Sequence, residues 1–132
     1  MAEQDVDTVR GAYEAFARGD VPAVLGIMDA EVEWKEPGGG NSPSGTFNGP
    51  DTVGSEVFGS IQANFDEFSA EPSDFSDDGD RVVVRGRFKG KNKNGAQLDT
   101  GFEHVFEMRD GKVVRFENKP DIAEAWAAGW GA

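Results

Sequence analysis

Residues 100–121 read TGFEHVFEMRDGKVVRFENKPD. Side chains of a strand alternate between its faces, so Phe102, His104, Phe106 and Met108 share one face and Glu103, Val105, Glu107 and Arg109 the other. The first set is far more apolar and therefore faces a core, carrying His104, the single histidine of the chain, inward with it. Arg109–Gly111 is a turn, and KVVRFENKP after it is a second strand of a hairpin. On that strand Phe116 and Asn118 suggest one inward face, and Glu117, Lys119 and Asp121 form the other. Pro120 leaves a further course open, a bulge that would turn Asp121 inward.

Working outward, SDDGD (76–80) is a tight turn into the strand RVVVRGRFKG, and KNKNGAQ (91–97) is a turn into LDTGFEHVFEM. IAEAWAA beyond the hairpin suits a short last helix. On the N-terminal side, Val6, Val9, Tyr13 and Phe16 recur at helical spacing, and Gly19 stops that helix. Asp20 suits the N-cap of a short second helix with Pro22 in its first turn. EVEWKEP then alternates as a strand with Val32 and Trp34 on one face. PGGGNSPSGTFNGP reads as a loop. A third helix from about Asp51 carries Val53, Val57, Phe58, Ile61 and Phe65 on one side, weakened by Gly54 and Gly59. Helices first and then a run of antiparallel strands is the pattern of a two-layer α+β domain, with residues 1–132 forming one domain and no internal repeat.

Composition limits the function. The chain has 132 residues, 37% apolar and 11% aromatic, enough for a single core. Its 25 acidic and 13 basic residues leave a formal charge of −12, which argues against nucleic acid or an anionic membrane as partner. No apolar run reaches membrane-spanning length, the acidic first residues do not suit a signal peptide, and a cytoplasmic location is expected. With no cysteine and one histidine, a catalytic zinc or iron site is not expected, and no metal or cofactor is assigned. Dinucleotide and Walker A loops and a GxSxG elbow are absent. The basic cluster RGRFKGKNK (85–93) is expected to be a charged outer face balancing the acidic surface.

The run VRGAYEAFARGDVPAVLGIMDAEVEWKEP, the Gly-Pro-Asp before a helix, and HVFEMRDGKVVRF together resemble the SnoaL-like branch of the ketosteroid-isomerase-like (nuclear-transport-factor-two-like) superfamily. The resemblance covers nearly the whole chain. It implies a curved antiparallel sheet wrapped around N-terminal helices, an α+β cone with a deep, mostly apolar pocket. It also implies a homodimer formed through the outer sheet face. Members include cyclases, isomerases, dehydratases and epoxide hydrolases, and also proteins that only bind ligands.

The resemblance, together with the alternation, nominates site residues. An ungapped count back from Gly111 would match Glu103 to the acidic oxyanion-hole residue of ketosteroid isomerase, but would bury Glu103 and Glu107 and expose Phe106. A turn one residue shorter places His104 there, in agreement with the alternation. Asp121 resembles the acid/base residue of SnoaL-like cyclases, or else caps the last helix. Glu36, before Pro37, stands where ketosteroid isomerase carries its base, or else is a solvated charge. The isomerase tyrosine would fall at Ala12, whereas this chain has Tyr13, as SnoaL-like sequences do; Lys119 replaces a tyrosine frequent in cyclase-like relatives. Catalytic candidates are therefore His104, Asp121 and Glu36. Tyr13, Phe16, Trp34, Phe58, Ile61, Phe102, Phe106, Met108 and Asn118 would line or back the pocket. His104 is either a core histidine or a pocket group, neutral if only apolar groups surround it and a proton shuttle if a carboxylate is close.

Two functions follow from these residues and the resemblance, beside a structural alternative, a dimeric scaffold whose pocket is merely core. One is a small cofactor-independent enzyme doing acid/base chemistry (isomerisation, cyclisation or hydration) on a compact hydrophobic carbonyl compound. The other is a non-catalytic dimer that binds a small hydrophobic molecule in the same pocket.

Overall fold

The computed structural model describes residues 2–131, with side chains described from Gln4 onward. In chain order it runs α1 (Ala2–Ala17), α2 (Val21–Leu25), β1 (Met28–Pro37) and β2 (Ser44–Asn48). A helical segment follows as α3 (Pro50–Thr52), a wider π turn (Val53–Phe58) and α4 (Gly59–Asn64). The chain then continues through β3 (Phe65–Asp78), β4 (Arg81–Asn92), β5 (Gln97–Arg109), β6 (Lys112–Pro120) and α5 (Ala123–Trp130). The strands form one curved, unclosed sheet in the order β2-β1-β6-β5-β4-β3. Every neighbouring pair is antiparallel except β1 with β6.

Local chemistry explains the punctuation. The Asp20 side chain accepts a hydrogen bond from the Ala23 backbone N–H, 3.2 Å away, and so starts α2. Asp110 and Gly111 both have positive φ, 54° and 76°, as a type I′ turn requires, and Arg109 sits opposite Lys112. On β5 the residues Leu98, Thr100, Phe102, His104, Phe106 and Met108 are all buried, so the alternation holds along the whole strand. On β6 the buried set is Val113, Phe116 and Asn118.

Three expectations are corrected. The segment 37–50 is not all loop: Ser44–Asn48 pairs with β1 as an edge strand, Phe47 opposite Trp34. The third helix contains the wide turn between Gly54 and Gly59, and Phe65 already begins β3. A side chain at Gly54 would press on Leu25 of α2, so the glycine lets the two helical segments close together. On β6 the register shift falls between Val113 and Arg115, whereas Pro120 pairs regularly with Phe102. No bulge at Pro120 turns Asp121 inward.

The core fills the concave side of the sheet. Trp34 stacks on Phe116 with ring centroids 3.7 Å apart, and Phe102 stacks on His104 at 3.9 Å. Gly86 sits where β3 and β4 crowd the Phe102 ring: a Cβ there would overlap the Glu71 carbonyl oxygen and lie 2.6 Å from Phe102 Cζ. The outer face is charged and cross-paired. Arg85 meets Glu103 at 2.7 Å, Arg87 meets Asp99 at 2.5 Å, and Arg115 lies 3.5 Å from both Glu33 and Glu107. Lys119 joins this face, 3.9 Å from Glu103. Arg85, Arg87 and Lys89 of the basic run thus meet acids on neighbouring strands at the outer face.

Candidate active site

β1 contributes Trp34 and Glu36, two residues apart and therefore on the same inward face. Glu36 is 6% exposed although it ends its strand beside a glycine-rich loop. The indole Nε1–H of Trp34 donates to Glu36 Oε2 over 2.6 Å, and Asn118 Nδ2 donates to Oε1 over 3.0 Å. Asn118 reaches Glu36 because β6 lies beside β1, with Trp34 opposite Phe116 and Lys35 opposite Glu117. Its carboxamide oxygen lies 3.0 Å from His104 Nε2, and His104 Nδ1 lies 2.5 Å from the Tyr13 hydroxyl of α1. The result is one buried chain of hydrogen bonds, Tyr13–His104–Asn118–Glu36–Trp34.

Electrostatics follows from burial. Removal from water raises the Glu36 carboxyl to about 7, against the smaller opposing effect of its bonds from Asn118 and Trp34. Burial lowers His104 to about 3, only partly offset by Asn118, so the imidazole is neutral throughout the physiological range. The Tyr13 phenol is raised by burial and stays protonated. A carboxylate offers about four lone-pair directions and two are filled, so Glu36 retains capacity for a ligand proton.

These groups open on a cavity of about 80 Å³, several times the space that one water needs. Its wall includes Tyr13, Phe16, Trp34, Glu36, Phe58, Ile61, His104, Phe106 and Asn118. Phe102 and Met108 are buried without lining it; Phe102 instead backs the site through its stack on His104. Asp121 is exposed and outside the lining. Its carboxylate lies where a side chain on Gly101 would point, and Gly101 shares the parity of Glu103, so Asp121 stands on the outer side of the sheet. Nor does it cap α5, whose cap position is Ile122 with no side-chain bond. The structure thus joins His104 to Glu36 through Asn118 and leaves Asp121 apart from both. Glu103 lies on the outer face, as the alternation required.

Trp126 and Trp130 of α5 also line the cavity and were not anticipated as site residues. Their i, i+4 spacing, one face of a helix, was the available signal. Trp126 Nε1 donates to Ser42 Oγ over 3.1 Å, whereas Trp130 Nε1 is buried with no partner among the described residues. No group of three or more His, Cys, Asp or Glu among those residues is placed to hold a metal ion.

Residues 9–116 match the family described as SnoaL-like domain. The chain belongs to that family. Among solved structures, this SnoaL-like chain is similar to an NTF2-like protein of unknown function from Burkholderia pseudomallei. The two are 32% identical over 96% of this chain and 97% of that one, with a TM-score of 0.87. It is also similar to Bal32a from a soil-derived mobile gene cassette, at 28% identity over 98% of both chains and a TM-score of 0.89. A third, TerC, crystallised with polyporic acid, is 28% identical over 89% of this chain and 92% of that one, with a TM-score of 0.81. A search of curated proteins finds no match. No helix among the described residues is long and apolar enough to cross a membrane.

Proposed function

We propose that this SnoaL-like protein is a cofactor-independent enzyme in which Glu36 is the general base toward a compact hydrophobic carbonyl compound held in the cavity. The observation carrying this reading is a buried carboxyl at the cavity wall, oriented by two donors and raised to about 7. A base of that strength is half ionised at neutral pH and strong enough to take a proton from carbon next to a carbonyl. Such a step opens isomerisations, cyclisations and dehydrations alike. The apolar wall suits a hydrophobic ligand, and the unpartnered indole N–H of Trp130 suits one that carries an acceptor oxygen. TerC crystallised with an organic acid supports a pocket of this kind.

His104 serves this site as a neutral hydrogen-bonding group between Tyr13 and Asn118, not as a charged shuttle. A homodimer through the outer sheet face belongs to the same proposal. The paired charges there leave the half-buried Val83 and Val105, which face each other across β4 and β5, as the apolar centre of a face already neutralised.

The test is deuterium incorporation next to the carbonyl of small apolar ketones in D2O, followed by NMR. Exchange that falls about 100-fold or more in Glu36→Gln is expected. Saturable ketone binding with no exchange above the buffer rate would overturn the enzyme reading in favour of a binding protein.

A further inference from the structure

We infer that Asn118 couples the protonation of Glu36 to the hydrogen-bonding role that Tyr13 offers in the cavity. Tyr13 then favours a ligand hydroxyl when Glu36 is ionised and a ligand carbonyl oxygen when Glu36 carries a proton. This rests on the cavity being the ligand site of the proposed function.

Donor and acceptor roles fix each link of the chain. An indole N–H only donates, so the Glu36 oxygen facing Trp34 is always an acceptor. The other oxygen faces Asn118, and an ionised carboxylate can only accept. The carboxamide must then present Nδ2 to Glu36 and Oδ1 to His104, so Nε2 carries the imidazole proton. Nδ1 is left with a lone pair, and the Tyr13 hydroxyl donates to it. In that arrangement the tyrosine oxygen has only lone pairs to offer a ligand.

A proton on the Glu36 oxygen that faces Asn118, directed at the carboxamide, reverses every link. Two donors cannot face each other in a buried bond, so the carboxamide turns over and Oδ1 accepts from Glu36. Nδ2 now donates to Nε2, the imidazole proton sits on Nδ1 and donates to the tyrosine oxygen, and the Tyr13 proton points to the cavity. Each arrangement holds one proton on His104 and one on Tyr13; only Glu36 gains one, and the imidazole proton changes nitrogen by exchange with water. Tyr13, Glu36 and His104 are the titratable groups in the cavity wall. Lys35, Glu117 and Lys119 lie on the opposite face of β1 and β6, Glu124 of α5 is exposed, and β2 has no charged side chain. When Glu36 takes a proton from a bound ketone, the arrangement favoured next is the one in which Tyr13 donates to the oxygen gaining charge.

The reporter is His104, whose two 15N signals need no assignment against other histidines. Because the ring stays neutral down to about 3, only its tautomer can change near pH 7. Wild-type protein well above the Glu36 transition should carry the proton on Nε2, and well below it on Nδ1. Glu36→Gln should hold the Nδ1 form at both pH values, since its carbonyl must accept from Trp34 and its NH2 must face Asn118. An Nε2 proton retained across the transition in wild-type protein would overturn the coupling, with no variant needed. As a ligand probe, cyclohexanone affinity should fall about tenfold in all as pH rises through the transition and then level off, the cost of one hydrogen bond to a ligand that the ionised form still holds, while cyclohexanol affinity does not fall; parallel profiles would overturn the inference. Deuterium exchange lost in Glu36→Gln without any tautomer change would leave the proposed base standing and sink only the coupling.

Discussion

His104 and Glu36 are joined through a single carboxamide, with Asn118 3.0 Å from each of them. That spacing decides the character of the site. A carboxylate directly on the imidazole would favour the charged ring; with an amide between them, burial dominates and the ring is neutral. The ionised or neutral state of Glu36 is therefore the variable of the cavity.

Asn118→Leu should destabilise the protein by on the order of 2–4 kcal/mol in denaturant unfolding. It strands two buried polar partners at once, each costing about 1–3 kcal/mol when left unpaired. A change under about 0.5 kcal/mol would mean that water replaces both bonds.

Stability should depend on pH in two opposed ways. Glu36 binds its proton more tightly in the folded state, with its value raised to about 7, so its contribution is full below the unfolded carboxyl value and is lost as pH rises through 7. His104 binds its proton less tightly when folded, with its value lowered to about 3, so its contribution is full above the unfolded imidazole value and is lost as pH falls through 3. Between about pH 4.5 and 6.5 the two slopes oppose one another and the wild-type melting temperature should vary little on their account. Removing one group exposes the other. His104→Gln should lose stability as pH rises from 4.5 to 7, and Glu36→Gln should gain it as pH rises from 3 to 6.5. Thermal melts across that range check both signs.

Gly86→Ala should cost about 1–3 kcal/mol, because its Cβ meets both backbone and the ring that supports His104. The His104 ring signals should shift with it. An unchanged melting temperature would show that β3 yields at this point.

Asp121→Asn should leave deuterium exchange and the His104 signals unchanged, since its carboxylate lies across the sheet from both. A loss of exchange with folding intact would give Asp121 a role that its position does not explain. The outer-face pair Arg85–Glu103 is largely exposed on the arginine side, so Arg85→Ala should cost under about 1 kcal/mol.

Sedimentation at micromolar concentration should give twice the chain mass, and Val105→Lys should shift it toward one. A monomer in the unaltered protein would remove the outer face as the proposed interface.

Much of this was legible in the sequence because it depends on local rules. Alternation on β5 turned His104 inward and Glu103 outward, the Asp110–Gly111 turn set the hairpin, and Asp20 marked the start of α2. The edge strand β2 was not legible, since Ser44–Asn48 has no apolar alternation and is held by pairing with β1. Trp34 and Glu36 share a strand face by parity, yet a carboxylate at a strand end beside glycines is ordinarily solvated, and only the enclosing cavity wall makes this one buried.

The sequence by itself determined most of the succession of helices and strands and the apolar face of β5, because those follow from periodicity and turn chemistry within short segments, and its motifs carried the resemblance to the family. The tertiary structure alone decided which carboxylate belongs to His104. Asp121 is three residues from Asn118 in the chain and on the other side of the sheet, whereas Glu36 is 82 positions away and bonded to it. Strand pairing, here the parallel contact of β1 with β6, sets such distances, and no local pattern encodes it.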